Sequence, residues 1–260
     1  MKTGLKKLFA GFLICLTLTG CAQKEVPNDT LYQVSVLDAL MQGVYDGEIA
    51  LEELIKHGDF GIGTFDSLDG EMVVLDGTVY QVLSTGEVVK PEQSLTTPFA
   101  MVTDFEDETK SDMNNVTDYD ALKTAVDALL PSKNEIYAIK IHGTFSHIKV
   151  RSVPSQTEPY PPLAEVAAMQ PEFEYENIQG TLIGYWCPEY MESINLPGYH
   201  LHFLSDDFTA GGHLLEVTIE NAVASVDTVK ELQLTIPSND NFLKTDFNGV
   251  SDEDKQGAEQ

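Results

Sequence analysis

From Phe60 onward the apolar residues of this chain stop recurring at helical intervals and come in short runs divided by turn residues, a change of period that decides what the chain can fold into. Residues 60–65, 72–75, 79–83 and 99–105 are each long enough for one strand, and Asp76-Gly77 between two of them suits a tight hairpin turn. Further strands are expected at 136–141, 145–150, 173–178, 180–187, 199–204, 213–219 and 231–236. Helical spacing is confined to short stretches at 36–41, at 50–57 with Gly58 as the residue that ends it, and at 163–169. One longer helix is expected where Leu122, Val126 and Leu129 follow Thr117-Asp118-Tyr119-Asp120, which reads as a capping box, and it stops at Pro131. Strands and helices are interspersed without regular βαβ alternation, so the expected fold class is α+β, with two mostly antiparallel or mixed β-sheets and few covering helices.

The 260 residues are 42% hydrophobic, enough for one large domain or two modest ones. The Pro-rich stretch 154–162 divides the chain into an N-terminal α+β half, 31–155, and a β-rich C-terminal half, 156–237, that carries the candidate metal site. Residues 238–260 are acidic, poor in apolar side chains, and read as a solvated tail. Forty-two Asp and Glu against 15 Lys and Arg give a formal net charge of −27. With no basic run beyond the extreme N-terminus, a nucleic acid is excluded as a partner.

That N-terminus carries its own signal. Lys2, Lys6 and Lys7 precede the apolar run 8–18, too short for the ~20 residues of a membrane span. The run ends in Leu18-Thr19-Gly20-Cys21, which resembles the site at which a lipoprotein leader is cleaved and its cysteine lipidated. Residues 1–20 are therefore expected to be a signal peptide and 21–30 a tether. The expected location is extracytoplasmic, anchored to the cell membrane by lipid on Cys21. Of the remaining cysteines Cys15 leaves with the signal, and Cys187, in the apolar run 181–187, reads as a buried inert thiol.

Chemistry-bearing residues crowd into one place. His200 and His202 flank Leu201, so on a strand both imidazoles share one face. Thr209-Ala210-Gly211-Gly212 lets the chain return, and a register that set His213 opposite His202 would complete a three-histidine face. The connecting loop is too long for the sequence to decide that register. Three neutral imidazoles with an open fourth position is the ligand pattern of catalytic Zn2+ rather than of a structural site. His57, His142 and His147 are better explained by capping, surface or packing roles. Arg151 is notable because cations are so scarce, and its forked guanidinium suits a carboxylate or a developing enolate oxygen.

Several motifs, in order, carry a resemblance: Gly61-Ile62-Gly63-Thr64-Phe65-Asp66-Ser67-Leu68-Asp69-Gly70-Glu71, Gly143-Thr144-Phe145, Val150-Arg151-Ser152-Val153-Pro154, Pro159-Tyr160-Pro161, Gly180-Thr181-Leu182-Ile183-Gly184 and Pro197-Gly198-Tyr199-His200-Leu201-His202-Phe203. Between about residues 31 and 237 the chain resembles the alpha-acetolactate decarboxylase family. The resemblance implies a zinc enzyme that converts 2-acetolactate to acetoin and CO2, with His200, His202 and His213 as metal ligands and Arg151 in the active site. It also implies Glu71 as the acid near the substrate, Thr64 in the same segment, and Glu259 in the tail as the glutamate that approaches the metal. A second copy of the chain, as a homodimer, is a further partner the resemblance allows. An exported lipoprotein-type member would differ from cytoplasmic relatives in location rather than chemistry. The residues themselves leave one alternative open, an extracytoplasmic zinc-binding lipoprotein without catalysis; the tail has no histidine, unlike the His-rich acidic loops of metal-capture proteins, which favours the enzyme. A zinc hydrolase of the H-E-x-x-H type has no matching helix in the sequence.

Overall fold

A computed structural model describes residues 29–247. The expected signal peptide, Cys21, the tether up to residue 28, and Glu259 lie outside the described residues. The elements run β1 (Thr30–Val34), α1 (Leu37–Met41), β2 (Ile49–Ala50), α2 (Leu51–Leu54), β3 (Phe60–Thr64), β4 (Glu71–Leu75), β5 (Thr78–Val82), β6 (Val88–Val89), β7 (Thr96–Thr97) and β8 (Ala100–Thr103). They continue with β9 (Thr109–Val116), α3 (Tyr119–Asp127), β10 (Ile136–Arg151), α4 (Leu163–Ala167), β11 (Glu172–Cys187), β12 (Gly198–Ser205), β13 (Gly211–Val229), β14 (Glu231–Thr235) and α5 (Asp240–Lys244).

The class is α+β, mostly strand. One sheet has the order β14-β1-β8-β3-β4-β5-β6, and a second has the order β10-β11-β12-β13-β9. In the first, every pairing is antiparallel except β1 with β14, which run parallel from Thr30↔Glu231 to Val34↔Thr235. The last strand therefore lies beside the first. In the second sheet β10 also pairs along β13, so β10, β11, β12 and β13 form a closed hydrogen-bonded ring. β13 meets β12 only through residues 211–213 and then passes its edge to β9.

The runs 136–141 and 145–150 join into the single strand β10, bent by register shifts on both sides of Phe145, and 173–178 and 180–187 join into β11. Gly143, which falls in the gap between two expected strands, instead faces Gly180 across that ladder. β9 has no counterpart among the expected strands: its sequence is polar, and only Met113 and Val116 are buried. The cap of α3 is Asp118 rather than Thr117, its carboxylate accepting from the Ala121 N–H at 2.8 Å. Helix α2 is shorter than the expected 50–57. Part of the acidic tail is structured, α5 being capped by Asn239, whose side chain accepts from the Phe242 N–H at 2.9 Å.

One apolar cluster fills the second sheet beneath α3, through Leu122, Val126, Phe145 and Phe203. Another joins the two sheets, with Phe60, Ile62 and Met101 of the first against Ile183, Tyr185 and Leu204 of the second. Each such side chain contributes roughly 1.5–3 kcal/mol on burial, and together they fix the first sheet over the β11–β12 face. Cys187 is a buried free thiol, pushed up to about 12 by desolvation, which suits an inert packing role. A further cluster joins α1 and α4 to Leu68, Phe99 and Val153.

The approach of β11 to β12 leaves no room for a side chain at Gly184, where a Cβ would stand 1.9 Å from the His200 carbonyl oxygen. Gly184→Ala must displace the backbone that carries His200, so urea unfolding should show a loss of about 1–3 kcal/mol. An unchanged midpoint would mean that the two strands have more freedom than this packing allows.

Candidate metal centre

The Ser205–Ala210 loop sets the register that the sequence left open. Ser205 Oγ donates to Asp207 Oδ1 at 2.7 Å and accepts from the Thr209 and Ala210 N–H groups at 3.1 and 3.0 Å. With the loop so fixed, His202 pairs with His213, and His213 pairs on its other side with Arg151, the last residue of β10. Gly212, at φ 136°, passes so close to Arg151 that a Cβ would lie 2.4 Å from its carbonyl oxygen. His200 and His202 project from the same face of β12 because one residue separates them. The three imidazoles converge, with candidate ligand atoms all within 4.8 Å of one another.

The first sheet supplies the other half. Glu71 begins β4, opposite Thr64 of β3, and its carboxylate crosses to the second sheet. Oε1 accepts from Arg151 Nη1 at 3.2 Å, and Oε2 stands 3.5 Å from His202 Nε2. His202 Nδ1 lies 2.8 Å from the Met72 carbonyl oxygen, and since a carbonyl only accepts, Nδ1 carries the proton and Nε2 the lone pair. The Thr64 hydroxyl donates to the Gly70 carbonyl at 2.7 Å, which fixes the turn leading into Glu71. The three histidines, Arg151, Glu71 and Thr64 line one cavity, whose lining is completed by Gly63 and the apolar side chains of Leu40, Leu68, Phe99, Val153 and Leu163.

Burial sets the electrostatics. His202 and His213 are 1% and 3% exposed, and Arg151 and Glu71 are 4% and 6% exposed. His200 stands at the rim and keeps some accessible surface, while its Nδ1 is sealed from solvent. Desolvation, then the charge of Arg151, pushes His200 down to about 3. Desolvation, aided by His200 and Arg151 and opposed by the Met72 bond, holds His202 well below the ordinary imidazole range. Both rings are thus neutral near pH 7, the form that donates a lone pair to a metal. His200 Nδ1 and His202 Nε2 have no hydrogen-bond partner, and a buried polar atom in that state is costly unless something else satisfies it. Three converging imidazoles, two of them held neutral and one of these with an orphaned lone pair, and one carboxylate beside them fit a divalent metal ion. The Met72 carbonyl would act as the outer support that orients a ligand ring.

Of the residues singled out in the sequence, His200, His202, His213, Arg151, Glu71 and Thr64 meet at this cavity. Glu71 looks like a solvated turn acid after Asp69-Gly70, and only the opposing sheet buries it. The role of the Met72 carbonyl is not legible in the sequence, because a backbone acceptor leaves no mark on the residue type. The five apolar side chains of the lining come from five separate segments, whose convergence is a property of topology alone.

Replacing His202 by Ala should remove metal binding, measured as metal retained per chain after dialysis; full retention would show that the ion sits elsewhere. Acid provides a second check, on the metal-free protein. An unfolded imidazole titrates near 6.5 and folded His200 near 3, so between those values the unfolded state binds the extra proton. Stability is complete above pH 6.5 and is lost as pH falls toward 3. The urea midpoint should drop between pH 7.5 and 5, and drop less in His200→Gln; equal slopes would contradict the buried neutral ring.

The family model for alpha-acetolactate decarboxylase matches residues 31–249. Alpha-acetolactate decarboxylases from Methylococcus capsulatus and Brevibacillus brevis are 44% and 40% identical over 229 and 238 residues, covering 88% and 92% of this chain and 88% and 84% of those proteins. The crystal structure of alpha-acetolactate decarboxylase from Bacillus subtilis strain 168 matches with a TM-score of 0.86 at 33% identity, over 88% of this chain and 99% of that one. The histidine face, the Arg151–Glu71 pair and the strands that present them thus lie within a chain that belongs to the alpha-acetolactate decarboxylase family, enzymes of the carboxy-lyase class.

Proposed function

We propose that this chain decarboxylates 2-acetolactate to acetoin and CO2 with Zn2+ held by His200, His202 and His213. The observation that carries this reading is one cavity in which three converging imidazoles and a buried Arg151–Glu71 pair face an apolar wall. The bond between the substrate's C2 and its carboxylate breaks, and its electron pair moves toward the neighbouring ketone, leaving an enediolate. A proton added at C2 then gives acetoin. A zinc ion at the three histidines would supply Lewis acidity for the oxygen on which that negative charge collects.

The chain's own groups divide the remaining work. Arg151, 4% exposed and always charged, binds the substrate carboxylate and stabilises the negative charge that replaces it. Its desolvation strengthens that interaction, and Glu71 orients the guanidinium through the 3.2 Å contact. Glu71 also faces His202, which places its carboxylate to hold or relay the proton that C2 receives. The Thr64 hydroxyl keeps the Gly70–Glu71 backbone in position. The family resemblance adds Glu259 as a further carboxylate near the metal.

We also infer export: the leader 1–20 and Cys21 would place the enzyme outside the cytoplasm, held to the cell membrane by lipid. Cys21→Ser should release it to the soluble fraction, and unchanged membrane association in that variant would refute the anchor.

The activity is tested by incubating the purified protein with racemic 2-acetolactate and assaying acetoin. Arg151→Lys keeps the charge and loses the fork, so kcat should fall about a hundredfold or more with metal retained. Glu71→Gln should fall comparably, while deletion of 254–260 reports on Glu259 in the same assay. Full activity in both the Arg151→Lys and Glu71→Gln proteins would reduce the histidine cluster to a metal site and defeat the mechanism.

A further inference from the structure

The cavity at the histidines measures about 40 Å³. At roughly 10–15 Å³ per water on this scale, that is room for about three waters, less than the five carbons and four oxygens of 2-acetolactate need. Something on its boundary must yield to admit substrate, and something must stay fixed for the site to choose between substrates. The polar wall takes the carboxylate, hydroxyl and ketone, so the alkyl group on C2 faces the apolar wall. That wall combines parts of very different rigidity.

Leu40 and Leu163 sit on α1 and α4, each five residues long. The backbone bonds of α4 are local, from Glu165 and Val166 to the Pro162 carbonyl and from Ala168 to that of Ala164, so α4 can shift without breaking a bond to either sheet. Leu68 differs. It follows Ser67 in a turn where both residues are left-handed, at φ 58° and 61°, with no glycine to make that easy. Such a backbone persists only where its surroundings impose it, and here they do. Ser67 N–H donates to the Tyr45 carbonyl at 2.8 Å, Gln156 N–H to that of Ser67 at 2.7 Å, and Gly70 N–H to that of Leu68 at 3.0 Å. The Thr64 hydroxyl and the Gln81 amide hold Gly70 and Asp69 to the sheet, each at 2.7 Å. Leu68 is 2% exposed, and its side chain lines the cavity three residues from Glu71.

We propose that Leu68 is the specificity-determining residue of this site, a fixed wall that limits the length of the alkyl substituent on C2, while α4 is the wall that yields. The inference rests on the decarboxylase reading. Its test uses 2-acetolactate and its homologue with propyl in place of the C2 methyl group, together with binding of the matching 2-alkyl-2-hydroxy acids by calorimetry, which needs no turnover.

The metal-loaded protein should favour methyl over propyl by about a hundredfold in kcat/KM, since one methylene in a tight apolar pocket is worth roughly tenfold or more. Leu68→Ala should narrow that ratio at least about tenfold in both kcat/KM and Kd, with metal content unchanged. Leu163→Ala should affect the two homologues alike. If the Ala variant does not fold, Leu68→Val should narrow the ratio by about threefold. An unchanged ratio in a folded, metal-loaded Leu68 variant, or an equal change of ratio in Leu163→Ala, overturns the proposal. Hydroxy-acid binding without acetoin formation would defeat the decarboxylase reading while the Kd ratio still judges Leu68; failure of the wild-type protein to bind either acid overturns both.

Discussion

The contact between His202 Nδ1 and the Met72 carbonyl, 2.8 Å long and buried, joins the two sheets chemically at the site itself, alongside the Arg151–Glu71 pair and the Tyr185 hydroxyl that donates to the Phe60 carbonyl. It reaches from the closed ring of β10, β11, β12 and β13 to β4 of the other sheet. It selects the tautomer of His202 and turns its Nε2 lone pair toward the other two histidines. The residue before Met72 is Glu71, so the same two-residue step of β4 supports one imidazole and one guanidinium. Moving β4 by one residue would send Glu71 to the opposite face and leave Arg151 as a buried charge without this carboxylate. The inter-sheet core around Phe60, Ile183 and Tyr185 is what prevents that movement.

Such an arrangement is not favourable in isolation. Removing one partner from a buried ion pair typically destabilises by about 3–5 kcal/mol, because the other charge stays behind without compensation. Neutral imidazoles with unsatisfied nitrogens add a desolvation cost. These groups are held in readiness by the fold around them, and a bound cation and an anionic substrate would repay both. The strained Ser67–Leu68 turn belongs with them: it lies in the segment between Thr64 and Glu71, and its geometry is imposed by bonds from the first sheet and from the Pro-rich stretch together.

Much of the architecture was legible because strand alternation and turn chemistry are local. The His200-Leu201-His202 alternation put two ligands on one face, and Gly211-Gly212 marked the return. The register that completed the triad depends on Ser205 binding its own loop, which residue types do not announce. β9 escaped notice because an edge strand with one exposed face needs few apolar residues, and Met113 and Val116 are too few to set a period. Gly143 falls between two expected strands because glycine is common in turns, whereas here it pairs with Gly180 and lets long, bent strands approach closely. Glu71 is legible only through its place in a family motif; its burial is supplied by strands 80 or more residues away.

On the proposed reading, activity resides in a metal held by the three-histidine face. Adding Zn2+ in increments to metal-free protein while following acetoin formation from 2-acetolactate tests it most directly. Activity should rise linearly and level off at one zinc per chain. Full activity in the metal-free protein, or a plateau unrelated to that stoichiometry, would contradict the account.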